Sequence, residues 1–130
     1  MKKWAAMAAV AVMVLSGVSY VSAQSAPKPE KGVLVGTAVE VSTYLMKGLD
    51  FEGFADTCKN RAGQGFPVAI VEDETDKLYV LVYRNPAPAS SLETANKILG
   101  DLMGQKVVMQ GLIYRNKDAN LIRISVVSEY

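Results

Sequence analysis

Alternation of hydrophobic and polar residues along the chain predicts five β-strands. The first begins at Val33, where valine and threonine alternate with glycine, alanine and polar residues through Ser42. A glycine inside this strand, Gly36, indicates a bulge or a sharp coil of the sheet. The other four strands are predicted over residues 68–72, 78–84, 107–114 and 121–127.

One clear helix is predicted between the third and fourth strands. Ser90 and Glu93 form a capping-box pattern at its start, and Gly104 is suited to the position just past its end. The residues spaced for one apolar face are Leu92, Ala95, Leu99, Leu102 and Met103. Residues 46–65 are polar and rich in glycine, with one or two helical turns predicted over 52–62.

This order of elements predicts an OB-fold, a closed barrel of five strands with a helix between strands 3 and 4. The first strand is long and contains a glycine, so it can pair with both halves of a coiled sheet. Closure removes exposed strand edges, which suits a small domain without disulfides. The alternative is an open meander with the helix on one face.

Residues 1–23 are typical of a cleavable signal peptide. Lys2 and Lys3 precede an uncharged apolar run from Trp4 to Leu15, and small residues at 21–23 form a cleavage site. The run is shorter than the about 20 apolar residues that span a bilayer. We therefore expect an exported periplasmic protein with no membrane anchor after cleavage. Residues 24–31 would be a flexible leader and residues 32–130 the folded domain.

Composition narrows the chemistry of that domain. The chain has 14 Lys+Arg, 13 Asp+Glu, no histidine and one cysteine. Removal of Lys2 and Lys3 with the signal takes the formal charge from +1 to −1. Cys58 would be an unpaired thiol in an oxidising compartment, either buried and inert or exposed and reactive.

Without histidine, the commonest general base and transition-metal ligand is missing. The sequence therefore predicts a non-enzymatic protein with no catalytic residues, no metal site and no cofactor. The acidic segment 72–77 is interpreted as a solvated hairpin connection. A divalent-cation site there is the alternative, although the segment lacks the calcium-loop pattern.

Aromatic residues indicate where a binding module would dock a protein, a peptide or a small ligand. Tyr79, Leu81 and Tyr83 share one face of the third strand, and tyrosine is a favoured anchor at interfaces. The three phenylalanines fall in or beside the segment 46–65, where they either close the barrel or line a pocket: Phe51, Phe54 and Phe66. The alternative for Tyr79 and Tyr83 is cross-strand packing.

Binding of single-stranded nucleic acid is the alternative function, because OB-folds commonly present strand aromatics and a basic groove. Against it, the second strand offers small aliphatic residues and the adjacent hairpin is acidic. The mature charge is also negative. No nucleic-acid partner is therefore expected, and the sequence leaves the oligomeric state open.

From Gly32 to Val127 the chain resembles a group of small exported bacterial OB-fold proteins. The shared segments are Thr43-Tyr44-Leu45, Lys47-Gly48, Gly65-Phe66-Pro67, residues 78–81 and residues 104–107. That group carries Cys-Tyr-Leu and His-x-x-Cys-x-x-x-Cys motifs, which imply a metal or redox site. Here Thr43, Phe54, Thr57 and Arg61 occupy those positions, and Cys58 is one residue out of register. A protein that has lost such a site is the second alternative function.

Overall fold

The structure is a computed structural model that describes residues 28–84 and 94–130. Five strands form a barrel: β1 (Glu30–Glu40), β2 (Val68–Glu72), β3 (Leu78–Tyr83), β4 (Lys106–Asn116) and β5 (Ala119–Glu129). Three helices accompany them: α1 (Val41–Lys47), α2 (Phe54–Gly63) and α3 (Ala95–Leu99), the last continued by a 3-10 turn over Gly100–Leu102. The predicted signal peptide and most of the predicted leader lie outside the described residues.

The strands close in the order β1-β2-β3-β5-β4, with β4 returning to β1. All neighbours are antiparallel except β3 and β5, which run parallel over residues 80–83 and 121–124. This closed barrel, with a helix between β3 and β4, confirms the predicted OB-fold and excludes the open meander.

Gly36 allows β1 to serve both halves of the barrel. Residues 30–37 of β1 pair with β4, and residues 36–40 pair with β2. A Cβ atom at Gly36 would lie 2.0 Å from the carbonyl oxygen of Val71, so only glycine permits this approach. Gly36 is therefore the residue at which β1 passes from its pairing with β4 to its pairing with β2.

The face of β1 that carries Leu34 and Ala38 points into the barrel, and at Val39, near the end of the strand, the opposite face is buried as well. Leu34, Ala38 and Glu40 are buried, whereas Val33 on the opposite face is 55% exposed. The strand begins at Glu30, inside the predicted leader, because Glu30 and Lys31 pair with Ile113 and Leu112 of β4.

The helical segments differ from the predictions at α1 and at both ends of α3, and they agree at α2. β1 ends at Glu40, and the residues predicted to continue it form α1. α2 agrees with the helical turns predicted over 52–62. α3 begins after Thr94, whose hydroxyl accepts a hydrogen bond from the Lys97 amide; the predicted capping residues Ser90 and Glu93 lie outside the described ranges. The helix gives way to the 3-10 turn earlier than predicted, and Gly104 follows with φ of 80°.

One core fills the barrel and extends beneath α2 and α3. Its largest fully buried side chains include Tyr79 of β3, Leu99 of α3 and Met109 of β4. Phe54, Cys58 and Ala62 of α2 join the same cluster, so α2 covers one end of the barrel. Within the two described ranges, no helix has the length and apolarity needed to cross a membrane.

Candidate functional site

The tyrosine face of β3, which the sequence predicts as a docking face with packing as the alternative, lies inside the barrel. Tyr79 is 1% exposed, Leu81 is buried and Tyr83 is half-buried. The predicted alternation along β3 is correct, and the inward face is the one that carries Tyr79 and Leu81. The Tyr79 hydroxyl accepts a hydrogen bond from Arg115 Nη2 at 3.3 Å. These residues contribute to packing in this conformation.

The phenylalanines divide between the barrel end and the surface. Phe54 is buried, and the Phe51 ring meets its edge with 5.6 Å between centroids. These two rings close the end of the barrel beneath α2. Phe66 is 38% exposed, and the Arg61 guanidinium lies over its ring at 4.2 Å from the centroid.

A buried carboxylate marks the junction of β1, α1 and α2. The Glu40 side chain has no exposed surface. Its oxygens accept hydrogen bonds from the Ser42 amide at 2.5 Å and the Ser42 hydroxyl at 2.6 Å. The Thr43 amide and hydroxyl donate at 3.4 and 3.1 Å, and Arg61 Nε donates at 2.5 Å. A charge in this position therefore has both a counter-ion and a full set of donors.

These contacts lower the pKa of Glu40. Burial alone would raise the pKa by penalising the charged form, but the hydrogen bonds from Ser42, Arg61 and Thr43 together outweigh burial. The carboxylate is consequently held as an anion beneath α1, and Arg61 is held over it.

Cys58 lies in the same junction and is fully buried, which decides between the two states expected for this thiol. Its Sγ accepts a hydrogen bond from the Glu40 amide at 3.4 Å. Burial and the nearby Glu40 charge raise the pKa of the thiol, against the opposing effect of that hydrogen bond. A raised pKa and burial both suppress thiolate chemistry.

Above Glu40 lies a cavity of about 210 Å³, here called the Arg61 pocket. It is lined by Ser42, Thr43, Met46, Lys47, Thr57 and Arg61. Three of the four positions singled out by the family resemblance thus meet in one place, whereas Phe54 lies in the core. Two hydroxyls and a cationic guanidinium do not form a set of ligands that suits a transition metal.

A second concave surface lies on the outside of the barrel, across β1, β4 and β5. One hollow of about 600 Å³ is lined by Lys31, Gly32, Val33, Gln110, Gly111, Leu112 and Ser125. A second, of about 310 Å³, is lined by Arg84, Leu112, Arg123, Ile124 and Ser125. Because the hollows share Leu112 and Ser125, they form one surface, here called the outer groove.

A β-bulge shapes the middle of the outer groove. Gln110 pairs with Val126 and Gly111 with Ile124, so Ser125 has no partner in the register. A Cβ atom at Gly111 would lie 2.1 Å from the carbonyl oxygen of Arg123, which explains the glycine. Side chains of the outer face then line up across the strands. Val33, Gln110 and Val126 form one row, and Lys31, Leu112 and Arg123 form the next.

No family model, curated protein or solved structure matches this chain. In residues 28–84 and 94–130, no group of three or more His, Cys, Asp or Glu side chains is arranged to hold a metal ion.

Sequence reasoning missed both concave surfaces. The available signal for the Arg61 pocket was an acid at the end of a strand followed by Ser42 and Thr43, which is a helix-capping arrangement. The outer groove depends on register, because its residues come from distant parts of the chain. No local pattern brings Lys31 and Arg123 together.

Proposed function

We propose that this protein is an exported, non-enzymatic OB-fold binding protein that docks an extended acidic segment of a partner protein in the outer groove. The amino-terminal sequence pattern supports export to the periplasm. The observation that carries the binding proposal is a concave surface with cationic and exposed apolar side chains, bordered by strand edges that have no strand partner among the described residues.

The charge of the outer groove favours an acidic partner. Lys31, Arg84 and Arg123 line it, and none of its described lining residues carries a carboxylate. The groove is therefore locally cationic in a protein whose predicted mature charge is slightly negative. Such a contrast directs an acidic segment to this surface and raises its rate of association.

Apolar contacts alternate with those charges. Val33 and Val126 are 55% and 56% exposed and lie on either side of Gln110 in the register. Leu112 lies between Lys31 and Arg123 in the neighbouring row. An extended peptide matches this spacing when the side chains on its groove-facing side, which are two residues apart, are acidic and apolar in turn.

The backbone amides and carbonyls along the edges of β1 and β5 could also bind such a peptide through hydrogen bonds. β1 pairs with β2 only from Gly36 onward, and the Val35 carbonyl oxygen accepts a hydrogen bond from the Asp73 amide at 3.0 Å. In the described chain, residues 30–34 therefore have a strand neighbour, β4, on one side only. β5 beyond Ile124 likewise pairs with β4 alone. Strand edges of this kind accept an additional extended segment through main-chain hydrogen bonds.

The lining favours a peptide over a single-stranded nucleic acid. Sequence-tolerant binding of single strands relies on aromatic rings on which bases stack. None of the described residues that line the outer groove is aromatic. Tyr79, the aromatic that suggested base stacking, is enclosed in the core.

Charge reversal in the groove tests the proposal. A fluorescent peptide of repeated Asp-Asp-Val-Val, which presents aspartate and valine in turn on each face when extended, is titrated with the mature protein and followed by anisotropy. We expect Lys31→Glu and Arg123→Glu each to weaken binding about tenfold or more, because each replaces an attraction by a repulsion. Lys117→Glu, an equal charge change in the turn between β4 and β5, should leave the affinity within about twofold.

Equal losses from Lys117→Glu and Arg123→Glu would overturn the assignment to the groove. Competition by a thymidine oligonucleotide that outperforms the peptide, with steep salt dependence, would favour the nucleic-acid alternative. The melting temperatures of the variants separate lost binding from lost folding.

A further inference from the structure

We propose that the Arg61 pocket is a second binding site, distinct from the outer groove, that takes a small monocarboxylate. The two sites share no lining residue. The proposal depends on how Arg61 is held, which hydrogen-bond donors remain and how the charges balance.

Arg61 is fixed in position before any ligand arrives. Its Nε donates to buried Glu40 at 2.5 Å, and its Nη2 lies 3.4 Å from the Ser42 hydroxyl. One face of the guanidinium covers the Phe66 ring. Asn96 of α3 in turn fixes the end of α2 and the residues after it, because its side-chain amide donates to the carbonyl oxygens of Phe66 at 2.8 Å and Ala62 at 2.9 Å. A pre-ordered guanidinium loses little side-chain entropy when it binds an anion.

The donors that remain point to an anionic ligand. The hydroxyl hydrogens of Ser42 and Thr43 are both donated to Glu40, so these groups offer no hydrogen to the pocket. In the described part of the chain, Nη1 of Arg61 donates no hydrogen bond. That nitrogen, the Thr57 hydroxyl and the Lys47 ammonium are therefore the donors that a ligand would meet.

Charge balance selects a single negative charge. Glu40 neutralises Arg61, which leaves Lys47 as the unmatched charge of the lining. Lys47 is one of the lining residues, and its ammonium lies 5.2 Å from the centroid of the Phe51 ring. One carboxylate would make the site neutral, whereas a doubly charged phosphate would leave it negative.

Size and apolar lining favour a short organic acid. The volume of about 210 Å³ admits a ligand of only a few heavy atoms. Met46 and the methyl groups of Thr43 and Thr57 provide apolar contact beside the donors. A carboxylate with a short hydrocarbon tail satisfies both parts of this lining, whereas a hydrated inorganic anion satisfies only the polar part.

The test is an NMR titration of the 15N-labelled mature protein with butyrate, with chloride at matched ionic strength as the reference. We expect saturable shifts at the side-chain Nε of Arg61 and the amides of Lys47 and Thr57. Lys47→Gln should weaken butyrate binding about tenfold, as expected for loss of a cationic donor, and Thr57→Val about threefold, as expected for loss of an uncharged donor to the carboxylate. Arg61 is left unchanged because its removal would leave the buried Glu40 carboxylate without its counter-ion.

Lys59→Gln is the matched control, because it removes the same charge from α2 outside the pocket lining. Its affinity for butyrate should equal that of the wild type. Equal effects of Lys47→Gln and Lys59→Gln, or shifts produced equally by chloride, would overturn the proposal. So would the absence of saturable shifts up to about 100 mM butyrate, well beyond the range of a specific site. Stronger binding of phosphate than of butyrate would contradict the monocarboxylate assignment.

Discussion

Glu40 connects three parts of the molecule through one side chain. Its backbone ends β1, its carboxylate caps α1, and its ion pair with Arg61 fixes α2. A buried ion pair stabilises a fold only when further hydrogen bonds offset the desolvation of both charges. Here Ser42 and Thr43 supply those bonds. Removal of either hydroxyl or of Arg61 would leave the buried Glu40 charge with too few donors.

The lowered pKa of Glu40 predicts loss of stability in acid. A carboxylate whose pKa is lower in the folded state than its ordinary value of 4.5 binds fewer protons when folded. Its contribution is therefore present above about pH 4.5 and declines as pH falls through the folded pKa. Urea unfolding at about pH 7 and about pH 3 should show a smaller free energy of unfolding in acid.

Glu40→Gln isolates this contribution. The amide nitrogen of glutamine would face donors, so we expect a loss of about 2–4 kcal/mol at neutral pH, moderated by the partial exposure of Arg61. The difference from wild type should shrink in acid. Glu74→Gln, in the exposed hairpin, is the control and should cost less than about 0.5 kcal/mol. A constant difference at all pH values would contradict an ionised Glu40.

At the scale of elements, β1 and β4 carry the features that shape the barrel. Gly36 permits close approach to β2, and Gly111 permits the bulge opposite Ser125. Both glycines occur where a Cβ atom would meet backbone rather than a movable side chain. Curvature in this sheet is therefore set at particular positions.

Gly36→Ala should destabilise the protein. The added methyl would lie 2.0 Å from the Val71 carbonyl oxygen, which forces β1 and β2 apart. We expect a loss of about 2–3 kcal/mol, in the range of overpacked sites, measured by urea unfolding. Gly63→Ala at the end of α2 is the matched control, since an added Cβ meets nothing within 4 Å. That variant should be neutral or more stable by up to about 1 kcal/mol. Equal effects at the two positions would contradict the packing argument.

The elements that could be predicted are those with a local signal. Alternation located all five strands, and the position of the apolar face located α3. α1 was missed because Val41 continues the alternation of β1, while the capping of α1 depends on the burial of the Glu40 carboxylate. The inward face of β3 could not be predicted because alternation separates two faces without indicating which one is enclosed.

At the scale of the whole molecule, the sequence predicted the architecture better than the sites. The order of elements and a glycine in a long first strand are sufficient to indicate an OB-fold. The outer groove combines residues separated by about ninety positions, so only the register reveals it. The Arg61 pocket combines residues 42–61 from two helices, and only the packing of α1 against α2 reveals it. Tyr79 shows that residue type alone does not locate a binding surface, because tyrosine is favoured at interfaces and is equally suited to a core.

Because one core runs through the barrel, unfolding should be cooperative. Met109 of β4 is fully buried among side chains from several strands. Met109→Ala should cost about 2–4 kcal/mol. The thermal transitions seen by near-ultraviolet and far-ultraviolet circular dichroism should shift together. Met46→Ala, at an exposed site on α1, is the control and should leave both transitions in place. Separate midpoints for the two signals would contradict a single core.

Two pairings between distant parts of the chain, the parallel pairing of β3 with β5 and the antiparallel pairing of β1 with β4, also determine when the barrel can form. During synthesis β1 emerges first, yet one of its two neighbours is not made until residue 116. β3 likewise waits for residues 121–124. Pairings this distant along the chain form slowly. The nascent chain therefore remains open until its last hairpin is complete, and the final thirty residues control the timing of folding.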